Sequence, residues 1–133
     1  MKFVLFVVSL LLLPIAAMAQ VSAQLSKCDN GDKFQRMDCI DKLQKSVESR
    51  IFSLENKIVR DLEQLEKRDG EAKSLELSRK FKESQRAWRE FTELDCYSLH
   101  ALPGANGMGG IIRDCVVRRY YLREQALINR GRQ

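Results

Sequence analysis

Proline and histidine are almost missing from this chain. Two prolines, Pro14 and Pro103, and one histidine, His100, stand among 133 residues. Neither proline nor glycine occurs from Lys33 to Asp69, so nothing in that span forces the backbone to bend. A single histidine leaves the commonest general base and metal ligand nearly unrepresented. No serine–histidine–acid set and no cofactor loop can be assembled; Ser98 lies near His100, but two residues apart in a loop is not an oriented dyad. The four cysteines, Cys28, Cys39, Cys96 and Cys115, lack the closely spaced pairs that zinc sites use. Alternation of strand type is nowhere sustained. The expectation is a non-enzymatic protein with no catalytic residue, no metal and no cofactor.

Long apolar runs are confined to the N-terminus. MKFVLFVVSLLLLPIAAMA begins with Lys2, continues through an apolar run from Phe3 to Leu13 and ends in small residues. Ala17-Met18-Ala19 meets the small-x-small cleavage rule, so residues 1–19 read as a signal peptide with a mature start at Gln20. Val21-Ser22-Ala23 offers a second cut, before Gln24. Pro14 interrupts the run, which is short for a bilayer span. Lys27 ahead of Cys28 does not suit a lipoprotein signal. Residues 20–133 are then one exported domain, periplasmic or secreted and not membrane-spanning. Export makes the four cysteines two disulfides, with three possible pairings.

Three helical blocks account for nearly all of that domain. Asp32-x-x-Gln35 has the form of a capping box at the start of the first. From there Ile40, Leu43, Val47, Ile51, Leu54, Ile58, Leu62 and Leu65 recur every three or four residues, one apolar stripe on a long helix. Asp69-Gly70 reads as the turn, with glycine supplying a positive φ. The second block runs from about Glu71 to Cys96 and places Leu77, Phe81, Ser84, Trp88 and Phe91 on one face. Arg79 and Glu83, Arg86 and Glu90, and Arg89 and Glu93 are opposite charges four apart, suited to a solvated face. The third covers roughly Ile111 to Asn129, with Ile112, Cys115, Val116, Tyr120 and Leu127 on its apolar side. The fold class is all-α: a long antiparallel hairpin with a shorter third helix against one end, stapled by disulfides at one pole.

That topology gathers the cysteines. The start of the first helix, the end of the second and the start of the third share one pole. Cys28–Cys39 and Cys96–Cys115 are favoured because each closes a short loop; Cys39–Cys96 is the rival pairing. Trp88 sits on the buried stripe and reads as a core anchor, with Gln85 and Arg86 flanking it half exposed.

The order of a first cysteine, Gln35-Arg36-Met37-Asp38-Cys39, a long helix, Ser84-Gln85-Arg86-Ala87-Trp88, Cys96, a glycine-rich loop, Cys115, then Arg119 and Leu122 resembles the LprI-type lysozyme-inhibitor domain family. Those are small exported bacterial proteins with an AQRAW-like signature, and the resemblance covers about residues 28–127. Ser84 stands where that signature has alanine. The resemblance implies a partner: lysozyme or another cell-wall hydrolase.

Two surfaces could serve a partner. Tyr97 to Gly110, YSLHALPGANGMGG, mixes apolar residues with four glycines between two cysteines. Closing both ends lowers the ordering cost of entering a cleft, which makes Leu99, His100, Leu102 and Met108 candidate contacts. No strand precedes these glycines, so a phosphate loop is excluded. The second surface is electrostatic. Residues 20–110 carry 16 basic and 16 acidic side chains, whereas the rest holds Arg113, Arg118, Arg119, Arg123, Arg130 and Arg132 against Asp114 and Glu124. Arg118, Arg119, Arg123 and Arg130 are candidate contacts for an anionic envelope surface; export argues against nucleic acid. Many lysozymes are basic, so inhibition must come from local contacts rather than long-range steering.

Overall fold

The computed structural model describes residues 18–98 and 108–131. Every regular element among them is helical: α1 over residues 18–26, a single 3-10 turn at Lys27–Asp29, α2 at Lys33–Arg68, α3 at Gly70–Ser74, α4 at Leu77–Ser98 and α5 at Met108–Arg130. The fold is all-α, as the periodicity predicts. No helix among the described residues is long and apolar enough to cross a membrane. Of the expected signal segment, residues 1–17 lie outside the described residues.

The start of α2 is fixed by the capping box. Asp32 accepts from the amides of Phe34 and Gln35, and the Gln35 side chain accepts from the Asp32 amide. Gly31 ahead of it has φ +137, a conformation closed to most side chains, and a Cβ there would lie 2.3 Å from Gln35 Oε1. The stripe of α2 then buries Ile40, Val47 and Ile51, with Leu43, Leu54, Ile58 and Leu62 packed at the edge of the core.

The hairpin turn differs from the expectation. Gly70 is the first residue of α3 and does not carry the positive φ; among the described residues that conformation occurs at Gly31 and Glu76. Asp69 makes the turn instead. It ends α2 through its amide, bonded to the Leu65 carbonyl, and begins α3 by accepting from the amides of Glu71 and Ala72. The second block is also not continuous from Glu71. It breaks after Ser74, and Glu76, with φ +50, separates α3 from α4. The N-terminus of α4 is satisfied from across the turn: Glu66 of α2 accepts from the Ser78 amide at 2.7 Å and from its hydroxyl at 2.8 Å. Those bonds hold the Glu66 carboxyl below its ordinary pKa.

Helix α4 runs antiparallel to α2, with Glu63 beside Lys82 and Glu55 beside Arg89. Helix α5 starts at the cysteine pole and lies along α2 in the same direction. Asp114 meets Arg36, and Glu124 meets Arg50. Shorter than α2, it runs beside α2 from Arg36 to the level of Ile58 and Asp61, and the three helices form a bundle whose centre is Ile40, Val47, Ile51, Phe81, Val117, Tyr120 and Leu127. Helix α1 adds Val21, Leu25 and, one turn on, Cys28 to the same core. Their spacing of four and three puts all three on one face.

The buried face of α4 is set one position away from the expected one. Phe81, Gln85, Thr92 and Cys96 are buried, Trp88 is half buried, and Phe91 is 56% exposed. Ser84 is exposed and Gln85 is buried rather than half exposed. Arg79 does pair with Glu83 on the outer face, at 2.7 Å. Arg89 turns inward to Glu55 instead of Glu93.

Candidate functional site

Both disulfides stand where the topology gathers the cysteines. Cys28 is bonded to Cys39, and Cys96 to Cys115. The first ties the 3-10 turn to the first turns of α2; the second ties the last turn of α4 to α5. Arg36 knits the pole further. It donates to Asp29 at 2.8 Å and to Asp114 at 2.9 Å, and these two carboxylates raise its pKa above the ordinary arginine value. Gly110 lies so close that a Cβ would be 3.2 Å from Arg36 Nη1. Arg113 pairs with Asp41 at 3.0 Å, and Arg118 donates to Ser22 Oγ at 2.8 Å, fastening α1 to α5.

The connection expected over 97–110 is shorter. Tyr97 and Ser98 belong to α4, where the Ser98 hydroxyl bonds the Asp95 carbonyl. Met108, Gly109 and Gly110 form the first turn of α5. Three candidate contacts, Leu99, His100 and Leu102, lie outside the described residues, as does the side chain of Met108. What the structure does supply is the base of that connection. Cys96–Cys115 closes it, with Cα atoms 5.7 Å apart, and Arg119 pairs with Asp95 one turn beyond. Phe91 and Leu94, 56% and 65% exposed, stand on the outer side of α4 leading to it.

The basic residues of α5 are engaged within the bundle. Arg119 lies over Phe91 at 5.9 Å, Arg123 over Trp88 at 5.3 Å and Arg130 over Phe81 at 5.4 Å. These are three rungs of one antiparallel seam, each a guanidinium of α5 on an aromatic ring of α4. Arg123 also donates to Gln85 Oε1 through Nε at 3.1 Å and Nη2 at 2.7 Å. Burial pulls its pKa below the ordinary arginine value. Trp88 thus sits between Arg123 and Tyr120 as part of the α4–α5 seam.

Glu55 and Glu124, which the sequence did not single out, and Gln85, expected half exposed, are buried polar residues joined in a ring. Arg89 of α4 donates to Glu55 of α2 at 2.5 Å. Arg50 of α2 holds Glu124 of α5 with two bonds, at 2.5 and 3.0 Å. Arg123 of α5 holds Gln85 of α4. Each helix gives one arginine and receives another. The available signal was a polar residue at helical spacing inside each apolar stripe: Glu55 between Ile51 and Ile58, Gln85 between Phe81 and Trp88, Glu124 between Tyr120 and Leu127. Glu55 is 7% exposed and its Oε1 has no partner. Beside it, Glu48, Phe52, Arg89 and Tyr120 complete an open groove of about 460 Å³.

A family model described as lysozyme inhibitor LprI matches residues 26–127. No curated protein and no solved structure matches the chain. The matched span opens two residues before Cys28, closes at the buried Leu127 and takes in both disulfides, the whole α2–α4 hairpin and the seam to α5. By that match over most of its length, the chain belongs to the LprI lysozyme-inhibitor family.

Proposed function

We propose that this protein is an exported, non-enzymatic binding protein that inhibits a lysozyme-type cell-wall hydrolase, working from its disulfide pole in the periplasm or outside the cell. The observation that carries the reading is the family match across the disulfide-bonded bundle. Leu99, His100, Leu102 and Met108 enter the proposal as contacts on a connection whose base is closed by Cys96–Cys115. Fixing that base by a covalent bond, an Asp95–Arg119 pair and packed helices lowers the entropy that binding must remove. Two disulfides accord with an oxidising compartment. The rival reading, an anionic envelope surface held by Arg118, Arg119, Arg123 and Arg130, has less support. Arg119, Arg123 and Arg130 face α4 aromatics, and Arg118 is bonded to Ser22.

The test is lysis of bacterial cell walls by a panel of lysozymes, with excess oxidised protein and with reduced and alkylated protein. Slower lysis with the oxidised form and less slowing with the reduced form are expected. Lysis at an unchanged rate across the panel would remove the inhibitor reading. Retention on anionic vesicles that is lost with salt would then favour the rival.

A further inference from the structure

The groove between α2 and α4 holds an acceptor with nothing to accept. Glu48, Phe52 and Glu55 follow each other at steps of four and three along α2, so they share one face. Arg89 from α4 and Tyr120 from α5 line the same groove. Glu55 is more than nine-tenths buried; Arg89 meets its Oε2, and Oε1 has no donor. A shielded carboxylate oxygen left in that condition gains from any N–H that reaches it. Phe52, in the middle of the face, is 60% exposed; the other exposed large apolar side chains of α2, Phe34 and Leu65, lie near its two ends.

Around the groove three carboxylates face two arginines: Arg89, which pairs with Glu55, and Arg123, which also acts on Glu55. The carboxylates of Glu48, Glu55 and Glu93 all act on the Tyr120 hydroxyl, with Arg89 as the opposing charge. An anion is therefore disfavoured, and a neutral sugar would leave the charge unmatched. A guanidinium or ammonium group answers every feature at once. It has several N–H donors for recessed carboxylate oxygens, a positive charge for the local field, and a face or stem that packs on an aromatic ring. Its long apolar stem also lets a charged head reach past the groove's rim.

We propose that this groove receives an arginine or lysine side chain of the protein that the domain binds, with the Phe52 ring against the cation and the Glu48 and Glu55 carboxylates accepting its N–H donors. The identity of the occupant as part of a protein rests on the inhibitor reading; the preference for a cation does not. The groove lies along the bundle away from the Cys96–Cys115 bond, so it is a second point of attachment that fixes how a partner sits.

The probe is a tri-arginine peptide amide, titrated into the oxidised mature protein while backbone amide resonances are followed by NMR, with tri-glutamate as control. Saturable shifts centred on residues 48–55 and 89 are expected with tri-arginine alone. They should vanish in the Glu48→Gln/Phe52→Ala variant. Phe52 is exposed, while Glu48 is half buried and accepts from Gln44 Nε2 at 2.8 Å, so an unchanged thermal transition must check the fold of the variant. Affinity for a lysozyme that binds the wild type should fall about tenfold in the same variant, the scale of one lost cation–π contact with a charge-assisted bond. Tri-arginine shifts absent from these residues, or equal lysozyme affinity for variant and wild type, would overturn the proposal. Groove shifts in a protein that binds no lysozyme would uphold the cation site and count against the inhibitor reading instead.

Discussion

Trp88 and Tyr120 meet with ring centroids 5.2 Å apart and planes tilted by 55°. That tilted contact joins α4 to α5 at mid-bundle, and Arg123 covers the Trp88 ring from the same side of α5. The tryptophan is thus an anchor at the edge of the core rather than at its centre. Replacing Trp88 with Ala should destabilise the bundle by about 3 kcal/mol, the low end for a large aromatic because the ring is half buried. A lower midpoint of denaturant unfolding, with the same slope, is the measurement. Wild-type stability together with weakened partner binding would make Trp88 a recognition residue.

The two glycines that flank α2 should respond oppositely to alanine. At Gly70 the backbone is already helical and the space for a Cβ is empty. Gly70→Ala should stabilise by about 0.5 kcal/mol through the unfolded chain. At Gly31 the positive φ and the Gln35 side chain both oppose a Cβ. Gly31→Ala should cost about 1–2 kcal/mol as the capping box is disturbed. Thermal unfolding of the two variants side by side gives the signs.

Acidification should loosen the hairpin turn first. The Glu66 carboxyl is held below its ordinary pKa chiefly by the Ser78 amide, then by the Ser78 hydroxyl. A depressed folded value means that the contribution is complete above the unfolded value, glutamate's ordinary pKa of 4.5, and is lost as pH falls through the lower folded value. Glu66→Ala should therefore be less stable than wild type at neutral pH, with the gap closing below about pH 4.5. A gap that stays constant down to strongly acid pH would show that the carboxylate charge is not what caps α4.

If the proposed signal is removed, the place of the cut has a consequence for folding. Val21 is 0% exposed and Leu25 is 3% exposed. A cut after Ala19 keeps both; a cut after Ala23 removes Val21 and most of α1. Mass spectrometry of the exported protein is expected to find Gln20 as its first residue. A recombinant chain starting at Gln24 should be less stable than one starting at Gln20 by about 2 kcal/mol, the value of burying one valine-sized side chain.

Much of this architecture was legible because α2 contains no helix breaker and its apolar residues keep one period for most of its length. Its capping box is a local pattern, readable from Asp32 and Gln35 alone. The face of α4 was harder. Phe91 drew the expected stripe toward itself by its hydrophobicity, yet what decides burial there is Gln85, and Gln85 is buried because an arginine from another helix needs its oxygen. No pattern within α4 contains that information. The turn was misread for a related reason: Asp69-Gly70 points to glycine, while the structure uses the aspartate side chain and places the left-handed residue at Glu76. The groove around Glu55 involves three helices, so only Glu55's awkward place in an apolar stripe announced it.

The ring of three arginine bonds bears on the hand of the bundle. A third helix can pack on either side of a helical hairpin, and apolar stripes point inward equally well in both mirror arrangements. Consecutive residues on α5 do not have that freedom. Arg123 looks toward α4 and Glu124 toward α2, about 100° further round the helix. Carried to the opposite side of the hairpin, the same two residues would exchange neighbours, turning Glu124 away from Arg50 and Arg123 away from Gln85. One adjacent pair of polar side chains thus acts as a chirality key, selecting between two topologies that hydrophobic burial alone would leave nearly equal.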